Sequence, residues 1–508
     1  MKTSRRTARS GEFLKRFIAI SLFAVVLFLP GFSVQKDSGP IGETVFPLIR
    51  RVVDSFNPPG LAVGIVKDGR IVYTAAFGVR NIESRDRVTI RSLFHMASVS
   101  KPFTATAIMQ FVERGRIGLD DPVVKHLPYF KLADERYRGI TIRQMLGHIS
   151  GMPDLQGSAE YQWDKPEYDE GAAERYVRSL AGRKLIAAPG EKLAYSNIAF
   201  EVLGDLIAKV SGRTFEDYMK TYILEPAGMK DSTFLKKDVP PGLATSPHIM
   251  SLVPAVSDIY PYHRAHAPSS TLHSNIEDMC RWAIINLNKG ILDGKRILKP
   301  ESYDILWEPA RLNDGSAARV GLSWFLTSEG GTKVVSHDGG DVGFVSGLCL
   351  IPEKSLAAVV LTNCDFAPAS LLAVAVALTA AGIEPPSLPN TPASFPLGRT
   401  IADKGVAAAV AQYRELKARH ADSFGFFPDD LDGLGYQLIG LKRIPEAIKI
   451  LQLNAEAYPG KAFCYESLGE AYLLNGDRKN AILSYEQALK IDPARPLATE
   501  ALKKLRVK

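Results

Sequence analysis

The chain is poor in cysteine, in long apolar runs and in unbalanced charge. Four cysteines in 508 residues exclude a disulfide scaffold and a zinc ribbon. The apolar run near the start, Phe17 to Leu29, holds 13 residues, short of the roughly 20 that a membrane-spanning helix needs. A polytopic membrane protein is therefore excluded. With 46% hydrophobic and 23% charged residues, the composition also excludes wholesale disorder. The formal net charge of +7 is concentrated at one end. Residues 1–33 carry Lys2, Arg5, Arg6, Arg9, Lys15 and Arg16 against Glu12, a surplus of five. The rest is within two charges of balance and argues against nucleic acid or another polyanion as partner.

A basic flank, a short apolar run, then Pro30, Gly31 and Ser33 read as an export signal over 1–33, cleaved after Ser33 or kept as an anchor. A periplasmic or extracellular location follows, with membrane contact only through an uncleaved anchor. No cysteine follows the run, which argues against lipidation. Arg5-Arg6 lacks the usual twin-arginine context.

What is present divides the rest of the chain. Leu61 to Val66 and Arg70 to Ala76 flank Asp68-Gly69, a hairpin signal. Phe344 to Leu350 and Leu356 to Thr362 form a second hairpin around Pro352 to Ser355. Thr104 to Arg114, Thr141 to Leu146 and Asn197 to Val210 have helical spacing. Strands at both ends with helices between predict one α+β domain over 40–382, its two hairpins sharing an antiparallel sheet. Prolines 385, 386, 389, 392 and 396 predict an extended linker over 383–400. Beyond it, residues 402–420 read as a helix. Leu434-Gly435, Leu438, Ala447, Leu451 and Pro459 recur 34 residues later as Leu468-Gly469, Tyr472, Ala481, Tyr485 and Pro493. This period and spacing resemble the tetratricopeptide repeat, with units near 428–461 and 462–495 and a cap helix from Arg495 to Val507, all within an α-helical domain at 401–508. Two repeats are short of a stable array, so they are expected to lean on the extra helix or on the rest of the protein.

The chemistry begins at Ser98-Val99-Ser100-Lys101. On a helix, positions i and i+3 share a face, so the Ser98 hydroxyl and the Lys101 amine fall within hydrogen-bond reach. A serine needs such a base to act as nucleophile, and a lysine serves when burial lowers its pKa. Alone, S-x-x-K more often marks a helix cap with a surface lysine. Here Tyr195-Ser196-Asn197 follows Pro189-Gly190, and His337-Asp338-Gly339-Gly340 precedes the last hairpin. Three ordered boxes, with the words Phe94 to Ser98, Leu119 to Pro122 and His148 to Pro153, resemble the serine β-lactamase and penicillin-binding-protein superfamily, in its class C-related branch. The resemblance covers roughly 40–380 and departs in one place: the third box is H-x-G where many relatives carry K-T-G.

The resemblance implies roles. Ser98 would be acylated, with Lys101 beside it. Tyr195, as phenolate or through Lys101, would take the Ser98 proton and later activate water. Asn197 would bind the substrate's amide or ester side chain. The backbone N–H groups of Ser98 and Gly340 would hold the oxyanion, and Gly339 would let the strand approach. His337 would donate toward Tyr195 or a substrate carboxylate, with a charge conditional near neutral pH. His148 is read as a loop support. His263, His266 and His273, near Asp258 and Glu277, lack metal-ligand spacing and are assigned to a substrate-rim loop. No metal and no cofactor are expected. The word Gly147 to Gly151 is G-x-x-S-G and misses the nucleophile elbow of α/β-hydrolases. Cys280, Cys349, Cys364 and Cys464 are expected as thiols. Substrate choice is assigned to loops 156–170 and 247–271.

The expected function is an exported serine hydrolase of an ester or amide, of esterase, D,D-peptidase or β-lactamase type. The substrate would be a small molecule or a peptide. The alternative is a penicillin-binding or sensing scaffold whose repeats recruit a protein partner.

Overall fold

In the computed structural model, residues 33–34, 39–155 and 157–506 are described. The expected export signal lies outside them, apart from Ser33. No described helix is long and apolar enough to cross a membrane.

The centre of the α+β domain is a seven-stranded antiparallel sheet. In chain order its strands are β1 Ser33–Val34, β2 Gly60–Lys67, β3 Arg70–Gly78, β4 Phe325–Glu329, β5 Thr332–Asp341, β6 Phe344–Ile351 and β7 Leu356–Thr362. Their spatial order is β1-β3-β2-β7-β6-β5-β4. The two expected hairpins meet through β2 and β7, with Val63 opposite Val360. The antiparallel sheet with helical layers is the α+β fold that the sequence predicts. The hairpin turn at Asp68-Gly69 has both residues at positive φ, 49° and 72°, as a tight two-residue turn requires.

Both faces of the central strands are buried, which explains why they read as apolar runs rather than alternations. Along β7, Leu356, Ala358 and Val360 enter one core; Ala357, Val359 and Leu361 enter the other. The first core is covered by helix α1, Pro40–Phe56, and by the apolar helix Ala369–Ala380. The second is covered by α2 Lys101–Glu113, α3 Asn197–Ser211 and α4 Ile276–Leu287. Helix α2 is buried from Lys101 through Phe111, so it is apolar all round rather than striped. Phe103 stacks on Trp282 at 3.9 Å; truncating such a buried ring to alanine costs about 3–5 kcal/mol. The core thus holds Lys101 at the start of α2 and the turn just before it, which carries Ser98.

The proline-rich stretch departs from the expected extended linker. Residues 394–400 are helical, within Ser394–Lys404, because Pro396 falls in the first turn, where a missing N–H costs nothing. Its extended part is tied to α1: Arg51 Nη2 donates to Leu388 O at 3.0 Å and Thr391 Oγ1 donates to Ser55 O at 3.0 Å. The single helix read over 402–420 is broken at Gly405, φ 83°, with a second helix at Val406–Arg419.

Four helices follow, Pro428–Gly440, Ile444–Ala457, Ala462–Leu474 and Arg478–Ile491, then Pro496–Arg506. Each pair closes on a glycine. A Cβ at Gly435 would lie 2.6 Å from the Leu451 side chain, and one at Gly469 would lie 3.0 Å from the Tyr485 ring. These glycines and their partners are the residues that recur at a period of 34. The array leans on its neighbours: Leu252 packs with Leu397, Ile401, Tyr413 and Leu434.

Candidate active site

The nucleophile candidate sits at a strained turn. Ala97 has φ 47°, a left-handed conformation that alanine rarely adopts. Residues Ala97–Ser100 form one 3-10 turn that runs into α2. Ser100 is turned inward, its Oγ accepting the Leu272 N–H at 3.0 Å. Ser98 is left facing a cavity of about 280 Å³, also lined by Tyr195, Asn197, His337 and Gly340.

Two donors converge on Ser98 Oγ: Lys101 Nζ at 2.8 Å and Tyr195 OH at 2.9 Å. The structure therefore brings together Ser98, Lys101 and Tyr195 from boxes 97 residues apart. Lys101 is fully buried. Its second contact is to Ser269 O at 2.9 Å. Burial pulls its pKa down from 10.5 to about 8, against the opposing charges of Glu201, Asp341, Asp154 and Asp338. Burial also pushes the Tyr195 phenol well above its ordinary value, although the bond with Ser98 works the other way. At neutral pH Tyr195 is thus a phenol, and Lys101 is the group that titrates within reach of Ser98.

Tyr195 is positioned by its neighbours. His148 stacks on its ring at 4.2 Å and accepts the Ser196 N–H at Nδ1, 3.2 Å. His148 is held neutral by burial and by Lys101. Ser196 caps α3, its Oγ accepting the Ala199 N–H at 3.1 Å, the role that serine serves at helix starts. The next residue, Asn197, has its amide nitrogen engaged within the protein. Its Nδ2 donates to Asp154 Oδ1 at 3.1 Å and to Tyr161 OH at 2.9 Å. A carboxylate accepts only, so the NH2 must face Asp154, and Oδ1 is the atom left for a ligand.

The third box lies on β5. This strand pairs with β4 only as far as Ser336, opposite Phe325, while Gly339 and Gly340 pair with Ser346 and Val345 on the β6 side. Among the described residues, the β4-side edge from His337 onward has no strand partner, and this edge borders the cavity. Gly339 is there for space: a Cβ would lie 2.4 Å from Met96 O and 2.7 Å from Ser98 N.

His337 differs from expectation. The resemblance implies a donor whose charge is conditional near neutral pH. Burial and Lys101 depress its pKa to about 3, so it is neutral. Its Nδ1 lies 2.7 Å from Asp338 O. A carbonyl only accepts, so the proton is on Nδ1 and Nε2 is a bare acceptor.

The histidine-rich segment also differs. It is buried rather than on a substrate rim. His266 Nδ1 bonds Glu201 Oε1 at 3.1 Å, and Ser269 Oγ donates to the same oxygen at 2.5 Å. The loop runs behind Lys101, so polar groups there must find partners inside. From the other expected substrate loop, Tyr161 reaches the cavity. Sequence reasoning missed Glu201 and Asp341, and reached Ser269 and Ser270 only as part of the loop 247–271, from which Ser270 lines the cavity. Asp341 Oδ2 accepts from His95 Nε2 at 2.7 Å and from Ser270 Oγ. No motif announces these residues; their contacts span 65 to 246 positions. The four cysteines are buried and free, with Cys349 opposite Ala358.

Comparison with known proteins accords with this geometry. The Beta-lactamase family model matches residues 48–381, about two-thirds of the chain. The chain belongs to the Beta-lactamase family. The tetratricopeptide repeat model matches 462–495. Among relatives of this Beta-lactamase-family chain, Protein flp of Staphylococcus aureus (strain MW2) is 27% identical over 60% of the chain and 59% of its own length. Penicillin-binding protein 4* of Bacillus subtilis (strain 168) is 30% identical over 54% of the chain and 62% of its own length. The chain thus spans about three-fifths of the curated relatives it matches. The octameric penicillin-binding protein homologue from Pyrococcus abyssi superposes with TM-score 0.59 at 28% identity, covering 72% of this chain and 82% of that one. Family membership supports serine-hydrolase-type activity, and a tetratricopeptide repeat suggests protein contact.

Proposed function

We infer that the chain is an exported hydrolase that cleaves an ester or amide through an acyl-enzyme on Ser98. The observation that carries this is the convergence of Lys101 Nζ and Tyr195 OH on one hydroxyl that opens into a cavity.

In this reading Ser98 Oγ attacks the carbonyl and its proton passes to Lys101 Nζ, whose amine form is made accessible by burial. The backbone N–H groups of Ser98 and Gly340 stabilise the oxyanion, worth about 3 kcal/mol per donor in comparable sites. Tyr195, kept a phenol, donates its proton to the leaving group and recovers one from Lys101. Water then enters by the same route in reverse. Asn197 orients the bound amide or ester through Oδ1. The export part of the proposal rests on the basic and apolar start of the sequence.

A panel of 4-nitrophenyl esters, D-amino-acid amides and nitrocefin tests the reading. Turnover is expected for wild type and a loss of at least about a thousandfold for Ser98→Ala. Equal turnover by the two proteins would sink it. Ester turnover is expected to exceed nitrocefin turnover, because His337 supplies no cation for a β-lactam carboxylate.

A further inference from the structure

The cavity in front of Ser98 has an uneven charge. Two carboxylates line it, Asp338 and Asp341, and no lysine or arginine does. Asp341 is fixed in place through Oδ2 by His95 and Ser270, and among the described residues no hydrogen bond engages its Oδ1. The cation nearest the reaction, Lys101, is already committed to Ser98 Oγ and Ser269 O.

A second feature is independent of charge. The His337 ring is 1% exposed, lines the same cavity, and its Nε2 has no hydrogen-bond partner among the described residues. With Nδ1–H donating to Asp338 O, Nε2 can only accept. A buried acceptor without a donor is costly to leave unmade. A carboxylate cannot supply that donor; an amide N–H, a hydroxyl or an ammonium can. This is the position at which the superfamily resemblance leads one to expect a lysine.

We propose that the cavity selects esters or amides bearing a hydrogen-bond donor, neutral or cationic, beside the scissile carbonyl, that His337 Nε2 accepts from that donor, and that Asp338 and Asp341 disfavour anionic substrates. The proposal rests on Ser98 being the nucleophile. Bound in this way, an ammonium gains both from the acceptor and from the carboxylate field. A neutral amide gains from the acceptor alone. A carboxylate meets two like charges, of which Asp341 is partly buried and Asp338 exposed, so the repulsion is open to screening by salt.

The test is a matched series of D- and L-alanine methyl esters and 4-nitroanilides with a free amine, an N-acetyl cap or an N-succinyl cap. Each compound is measured by turnover and by its protection of Ser98 against a fluorophosphonate. The free amine and N-acetyl compounds are expected to exceed the N-succinyl compounds by at least about tenfold in kcat/KM or protection, and added salt should shrink the gap. His337→Lys should abolish the penalty on the N-succinyl compounds. Wild-type salt dependence keeps the test decisive if the variant misfolds. An N-succinyl compound that matches or beats its N-acetyl partner overturns the proposal, as does protection by none of the series. If fluorophosphonate leaves Ser98 unlabelled and no ester is cleaved, the hydrolase reading itself falls, and this proposal with it.

Discussion

Replacing Lys101 with methionine should stabilise the protein at neutral pH while abolishing its chemistry. Lys101 is fully buried, and its pKa falls from 10.5 to about 8. The gap is worth about 3 kcal/mol. The sign follows from the direction. A lysine whose pKa is lowered in the fold is harder to protonate there than in the unfolded chain. The penalty is therefore full below pH 8, shrinks between pH 8 and 10.5, and is absent above. Methionine has similar length and carries no charge, so it removes the penalty. It also removes donors to Ser98 Oγ and to Ser269 O, a loss of about 1–2 kcal/mol. The net expectation for Lys101→Met is a gain of about 1–2 kcal/mol at pH 7 that has vanished by pH 10. Denaturant unfolding of both proteins at the two pH values measures it, because other titrating groups cancel in the difference. A stability difference that does not change with pH would refute the claim that burial depresses Lys101.

The same amine governs rate. Labelling of Ser98 by a fluorophosphonate should rise about tenfold per pH unit and level off near pH 8, as the amine form fills; a flat profile from pH 6 to 9 would contradict it. Gly339→Ala places a methyl 2.4 Å from Met96 O and 2.7 Å from Ser98 N, so ester kcat/KM should fall about a hundredfold while circular dichroism stays native. Gly435→Ala drives a methyl to 2.6 Å from Leu451 and should destabilise the chain by about 1–3 kcal/mol on thermal unfolding, with Ser98 labelling unchanged.

The parts of this molecule that were legible in the sequence are those set by short spacing. Ser98 and Lys101 are three residues apart, so one turn brings them together. The two hairpins announced themselves because each turn is local, and the repeats because the same glycine–large pair, Gly435 with Leu451 and Gly469 with Tyr485, recurs at a fixed period. What stayed hidden depends on partners far along the chain. The second acceptor for Lys101 is Ser269 O, and the carboxylate behind it, Glu201, carries no motif. The state of His337 could not be read from its box: its depressed pKa comes from burial and from Lys101, and its tautomer from the Asp338 carbonyl. The proline-rich stretch looked extended because proline breaks helices, yet Pro396 sits in a first turn, where it does no harm. The histidine loop lacks metal-ligand spacing, and nothing local announces its burial, in which His266 bonds Glu201 and His273 bonds Tyr260.

The most direct test of the central claim is to trap the covalent intermediate. The folded chain is treated with a fluorophosphonate, digested, and mapped by mass spectrometry. A single adduct on the peptide that carries Ser98, absent from Ser98→Ala, is the predicted result. A folded protein that takes no adduct, or takes it at another serine, would contradict the account.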